Sequence, residues 1–279
     1  MTPLRVLVTG ASSGFGLCLT QTLLSRGHRV VATSRSKEAI SPLLASAPGN
    51  AFSFQMDLTN SDQCRDAVAF TAAQLGGIDV LVNNAGYGLI GALEECTEEQ
   101  ISQNIATNFT GPLALIRAVI PEMRAQRFGR VVNMGAAAAI INYPGFAAYG
   151  GAKAALEIAS EAVALECAPF GISVTTVIPG PFRTNFIGKG MVKAANPIAE
   201  YAPTSGKFAT LLNTINGKQP GDPAKAAAAI ATLIDPEQTP KPPARLFLGK
   251  YAFGKAKKKI ENLTAELTAS EPTGLATDF

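Results

Sequence analysis

The 279-residue chain carries a formal net charge of only +3, too small to argue for nucleic acid, and its 47% apolar against 16% charged residues can build a sizeable core. No apolar run reaches membrane-spanning length and the N terminus lacks a signal-peptide layout, so a soluble cytoplasmic protein is expected. Cys18, Cys64, Cys96 and Cys167 are scattered, with no CxxC pair and no histidine cluster, which argues for free thiols and against disulfides or a metal site.

The first predicted strand, Leu4–Thr9, runs into Thr9-Gly10-Ala11-Ser12-Ser13-Gly14-Phe15-Gly16. A helix follows over Gly16–Arg26, with Leu17, Leu19, Leu23 and Leu24 as its apolar side. Strand, glycine turn and helix in this order build a phosphate site. Glycine lets the backbone turn sharply and approach a pyrophosphate, and the helix start offers unpaired N–H groups with a positive dipole end. The lone histidine, His28, reads as a surface turn residue.

The second strand, Arg29–Ser34, ends at Ser34-Arg35. An acidic residue here would select NAD by accepting from a ribose hydroxyl. Arg35 instead matches a 2′-phosphate, with Ser34 as a donor, so NADP(H) is the expected cofactor.

Further strands are predicted over Ala51–Met56, Ile78–Asn83, Gly129–Met134 and Ile172–Ile178, with a weaker one at Arg245–Leu248. Helices are predicted over Ser61–Leu75, Ile101–Gln126 and Ala147–Ala168. This alternation implies an α/β Rossmann-type, doubly wound parallel sheet of about seven strands, built as one domain. The segment from 182 to 221 breaks the rhythm and reads as a lid over a ligand. Residues 250 to 279 form a C-terminal extension, with Lys255–Lys259 on a solvated helix face and Ser270–Phe279 loosely ordered.

Tyr149 and Lys153 stand four apart on a predicted helix and so share a face. A phenol is a poor base at neutral pH, and a neighbouring ammonium favours its phenolate. Such a tyrosine can deliver a proton to a substrate oxygen.

Taken together, these motifs resemble the short-chain dehydrogenase/reductase family from about Leu4 to Thr184, and more loosely beyond. The resemblance implies that Asp57 and Leu58 contact an adenine ring and that Asn84, Ala85 and Gly86 lie beside the adenosine ribose. It implies that Asn108 bends its helix and holds a water linked to Lys153, and that Lys153 also bonds the nicotinamide ribose. Pro179, Gly180, Phe182 and Thr184 would border the nicotinamide. The same resemblance points to a hydroxysteroid- or retinol-type branch, to secondary-metabolite tailoring enzymes, and to a homodimer or homotetramer joined through the helices Ile101–Gln126 and Ala147–Ala168.

One position departs from the family. Its serine stands thirteen residues before the tyrosine, and here that position is Ala136. No hydroxyl lies between Thr110 and Tyr143 to replace it. Four readings follow: an NADPH-dependent reductase in which Asn142, Tyr143 or a water substitutes; a Ser→Ala change introduced into a working reductase; a non-redox isomerase or cyclase using Tyr149 as acid; and a cofactor-sensing binding protein. The substrate is expected to be small and lipophilic, against Tyr87, Asn142, Tyr143, Phe186 and Met191.

Overall fold

The computed structural model describes residues 2 to 279. Its main sheet has seven strands, all parallel, in the order β3-β2-β1-β4-β6-β7-β9. These are β1 (Arg5–Thr9), β2 (Arg29–Ser34), β3 (Ala51–Gln55), β4 (Val80–Asn83), β6 (Gly129–Met134), β7 (Ile172–Pro179) and β9 (Arg245–Leu248). A separate two-stranded parallel sheet joins β5 (Gly88–Ile90) to β8 (Met191–Lys193).

Alternation along the strands explains the layers. On β1, Val6 and Val8 turn to one face, where they pack with Leu19 and Leu23 of α1 (Gly14–Ser25) and Ile230 of α9 (Pro223–Ile234). Leu7 turns to the other face, against Val68 of α3 (Ser61–Leu75) and Leu115 and Val119 of α5 (Gly111–Gln126). Covering on both faces makes these strands apolar nearly throughout. The chain winds outward from β1 to β3 on one side and from β4 to β9 on the other. The C-terminal ends of β1 and β4 therefore flank a switch-point crevice, where such sheets bind ligands.

Three expectations are corrected. His28 is buried, not a surface turn residue: its Nδ1 accepts from the Leu4 N–H at 3.1 Å, and burial pulls its pKa down. The stretch expected as one helix from Ile101 to Gln126 is α4 (Glu98–Ile105), a π-helical turn (Ala106–Thr110) and α5, whose start carries Pro112. The tail is not loose from Ser270, because α10 (Gly249–Leu275) continues to Leu275 and leaves only residues 276–279 outside the helix.

The segment from 182 to 221 is held down at several points. Glu95 is buried and accepts from the N–H groups of Ala92 at 2.6 Å and Ile198 at 2.9 Å. Gln100 donates to the Lys193 carbonyl and accepts from the Ala195 N–H. The segment contributes β8 up to these anchors and α8 (Lys207–Ile215) after them.

Candidate active site

In the turn after β1, two glycines stand where there is no room for a side chain. Gly10 has φ +66°, and a Cβ there would stand 2.8 Å from the Ala85 Cα. A Cβ on Gly16 would strike the Gly10 carbonyl and the Asn84 amide. Thr9 knits this turn to the one after β4, since its hydroxyl accepts from the N–H groups of Asn84 and Ala85, both at 3.0 Å. The Asn84 amide donates to the carbonyls of Thr9 and Gly10.

The start of α1 has N–H donors to spare. Ser13 is its N-cap, in extended backbone with no side-chain capping bond, and no acidic residue stands in the first turn. Ser12 is half-buried and Ser13 exposed beside Gly14. Phe15 packs on Phe182 at 5.1 Å between ring centroids, and Thr184 lies against Gly14. The segment Pro179–Thr184 thus lies over the glycine turn, with Gly180 packed against Tyr251.

At the end of β2, Ser34 is buried and its hydroxyl accepts from the Ser36 N–H. Arg35 is exposed, and among the described residues its guanidinium joins no ion pair. Asp57 is exposed, its carboxylate taken by the Thr59 N–H and hydroxyl, while Leu58 is buried beneath Gly111.

Tyr149 and Lys153 both lie on α7 (Ala147–Cys167), and both are buried. Lys153 Nζ donates to the Met134 carbonyl at 2.7 Å. Desolvation pulls the Lys153 pKa down to about 8 and pushes the Tyr149 phenol above its ordinary value. Burial therefore outweighs the pull of the ammonium on the phenol that the sequence spacing suggests.

Asn108 sits inside the π-helical turn, fully buried. Its amide donates to the carbonyls of Tyr87 at 2.9 Å and Asn104 at 3.0 Å. Its Oδ1 has no partner among the described residues. A Cβ on Gly86 would come 2.6 Å from that oxygen and 3.3 Å from Lys153 Nζ, so glycine keeps one small space open between them. A buried acceptor without a donor is costly, and a polar group entering that space would relieve it.

Around the Tyr149 ring the surface is apolar. Ile90, Ala136, Ala138 and Phe146 are buried with it, and Tyr143 together with Phe186, Met191 and Phe208 of the 182–221 segment packs against the cluster. Of the residues expected to meet substrate, Tyr143, Phe186 and Met191 are brought together here. Tyr87 is not: its phenol, pushed up by burial, lies toward Asn104 and Arg35. Asn142 is spent on its own loop, accepting from the Tyr143 N–H and donating to the Phe146 carbonyl. The Tyr143 hydroxyl pairs with that of Tyr251 at 2.8 Å, and its ring stacks on Phe208. Both side chains are thus engaged by neighbouring groups of the protein.

Sequence reasoning missed a buried polar relay. The Asn83 amide donates to Asn133 Oδ1 at 2.8 Å, the Asn133 amide to the Ser160 hydroxyl at 2.8 Å, and Ser160 to the Leu156 carbonyl at 2.6 Å. It ties β4 and β6 to the helix that carries Tyr149 and Lys153. The signal was present: an asparagine at the end of two apolar strands requires a partner.

The glycine turn, the open helix start and the orphaned Asn108 oxygen together fit a dinucleotide. Residues 5–192 match the family model described as short chain dehydrogenase. The chain is similar to a 3-ketodihydrosphingosine reductase of Bacteroides thetaiotaomicron, 37% identical over 86% of this chain and 87% of the relative. It is also similar to an NADP-dependent 3-hydroxy acid dehydrogenase of Shigella flexneri, 34% identical over 63% of this chain and 71% of that one. A solved structure of a short-chain dehydrogenase from Streptomyces avermitilis superposes with a TM-score of 0.93 at 40% identity, covering 100% of both chains.

Proposed function

This chain belongs to the short-chain dehydrogenase family, and on that premise we propose that it is an NADPH-dependent reductase of a carbonyl on a lipophilic, medium-sized substrate. The observation that carries the reading is the buried Tyr149–Lys153 pair, one helical turn apart, beside the open space at Asn108 Oδ1. Arg35, in no ion pair among the described residues, and Ser34 favour the 2′-phosphate of NADP(H). The name of the Shigella flexneri relative supports the same cofactor. The four unpaired cysteines support a reducing compartment, the cytoplasm.

The cofactor would be held by residues 10–16, by Ser34 and Arg35, and by the 84–86 and 179–184 segments. When bound it supplies the hydride. The chain's own residues do the rest. Tyr149, kept protonated by burial, donates its proton to the carbonyl oxygen as negative charge develops there. Lys153 holds positive charge nearby and, fastened to Met134, fixes the pair in place. Phe146, Phe186 and Phe208 exclude water and hold the apolar part of the substrate. Ala136 supplies no hydrogen bond to the carbonyl oxygen, so the step runs with one donor fewer.

Ala136 also favours a second reading, in which Tyr149 acts as acid in an isomerisation or cyclisation without net hydride transfer. The exposed Ile158 and Leu165 on α7 support assembly of two subunits through that face.

The test is to follow NADPH and NADH absorbance with purified protein and a panel of lipophilic ketones that includes 3-ketodihydrosphingosine. Faster consumption of NADPH with a ketone supports the reading. Turnover of a substrate without loss of NADPH supports the non-redox one.

A further inference from the structure

The last helix stands clear of the body. Ala252 is buried at its base and Lys255 lies over the Tyr143 and Tyr251 rings, but every residue from Lys257 onward is exposed. Such a helix is expected to be polar all round, and this one is not. Phe253, Ala256, Ile260, Leu263 and Leu267 recur at alternating spacings of three and four. That is the seam of a coiled coil, and Ile260, Leu263 and Leu267 are 65%, 54% and 68% exposed. A lone helix gains nothing from such a seam, which becomes stabilising only when a second helix covers it.

Charge along the helix identifies the occupant. The half before the seam's midpoint carries Lys255, Lys257, Lys258 and Lys259, and the half after it carries Glu261, Glu266 and Glu271. We propose that α10 is a docking surface for α10 of a second copy of this chain, paired antiparallel. Setting Ile260 against the partner's Leu263, and Leu267 against the partner's Ala256, buries the seam. The same register places Lys259 beside the partner's Glu266 on both sides of the two-fold axis. A parallel pair would instead set Glu266 near the partner's Glu271, like against like. A lipid surface fits less well, because three glutamates share the half of the helix that carries Leu263 and Leu267.

The test is the mass of the full chain by light scattering, alongside Ile260→Asp/Leu263→Asp. These sites are exposed in the single chain, and unchanged near-UV circular dichroism would confirm that the body stays folded. The expected result is that the mass halves, whether or not the α7 faces also pair. An unchanged mass, or a wild-type chain that is already monomeric, overturns the proposal. Direction is read from charge reversal. Lys259→Glu alone and Glu266→Lys alone should each raise the dissociation constant of the pair, and both together in one chain should restore it. Tighter assembly of Glu266→Lys overturns the antiparallel arrangement. Sedimentation with vesicles of anionic and zwitterionic phospholipid, lost in Ile260→Asp/Leu263→Asp while the mass stays constant, overturns the proposal in favour of a membrane surface.

Discussion

The Lys153 ammonium donates to the carbonyl oxygen of Met134 at 2.7 Å, two residues before Ala136. One bond thus fastens the helix of the proton donor to the strand end where the substrate oxygen must lie. A buried ammonium held by a neutral carbonyl has no opposite charge to repay its desolvation, which is why its pKa falls to about 8 from an ordinary 10.5.

Activity should therefore depend on pH in one direction. Lys153 keeps its charge below about 8 and loses it above. Tyr149 stays protonated across that range because burial pushes its pKa up. In the reduction direction, kcat/KM should hold through neutral pH and fall as pH rises past about 8. A profile that stays flat through the ordinary lysine range would contradict this. The sign for stability is opposite. Between the two pKa values the unfolded lysine binds a proton that the folded one does not, so this group adds stability as pH rises through that window.

Arg35→Asp should exchange cofactor preference. A charged hydrogen bond to phosphate is worth about 1.5–3 kcal/mol, so the NADPH dissociation constant should rise by about ten- to a hundredfold. The NADH constant should change little or fall. Fluorescence titration with both nucleotides reads the difference, and equal weakening of the two would remove Arg35 from the 2′-phosphate role.

Ser160→Ala should cost more than its size suggests. It leaves the Asn133 amide buried without an acceptor, at about 1–3 kcal/mol. Urea unfolding at neutral pH measures the loss. A change near zero would mean that the relay does not hold α7 against the sheet.

Much of this site could be read from sequence because it rests on backbone constraints. The glycines of residues 10–16 are needed wherever a strand must turn into a helix around a phosphate, and the Tyr149–Lys153 spacing follows from helix geometry. The sheet was legible for a similar reason, since strands covered on both faces are apolar throughout. The break at residues 106–110 was legible only as the bend at Asn108 that the family resemblance implies, because the residues themselves are compatible with helix. His28 was misread from its neighbour Gly27, whereas the unpaired Leu4 N–H draws the imidazole inside. The engagements of Asn142 and Tyr143 were invisible because each depends on a three-dimensional partner, Phe146 in one case and Tyr251 in the other.

Ala136 is the position on which the account turns. It caps the short α6 (Ala137–Ile140), and its methyl group lies in the apolar cluster with Tyr149. The most direct measurement compares Ala136→Ser with the unaltered chain, following NADPH consumption on one lipophilic ketone and NADPH binding in parallel. With serine, kcat/KM should rise by about a hundred- to a thousandfold, from one restored donor, at unchanged NADPH affinity. A serine variant no faster than the unaltered chain, or no NADPH consumption by either, would contradict it.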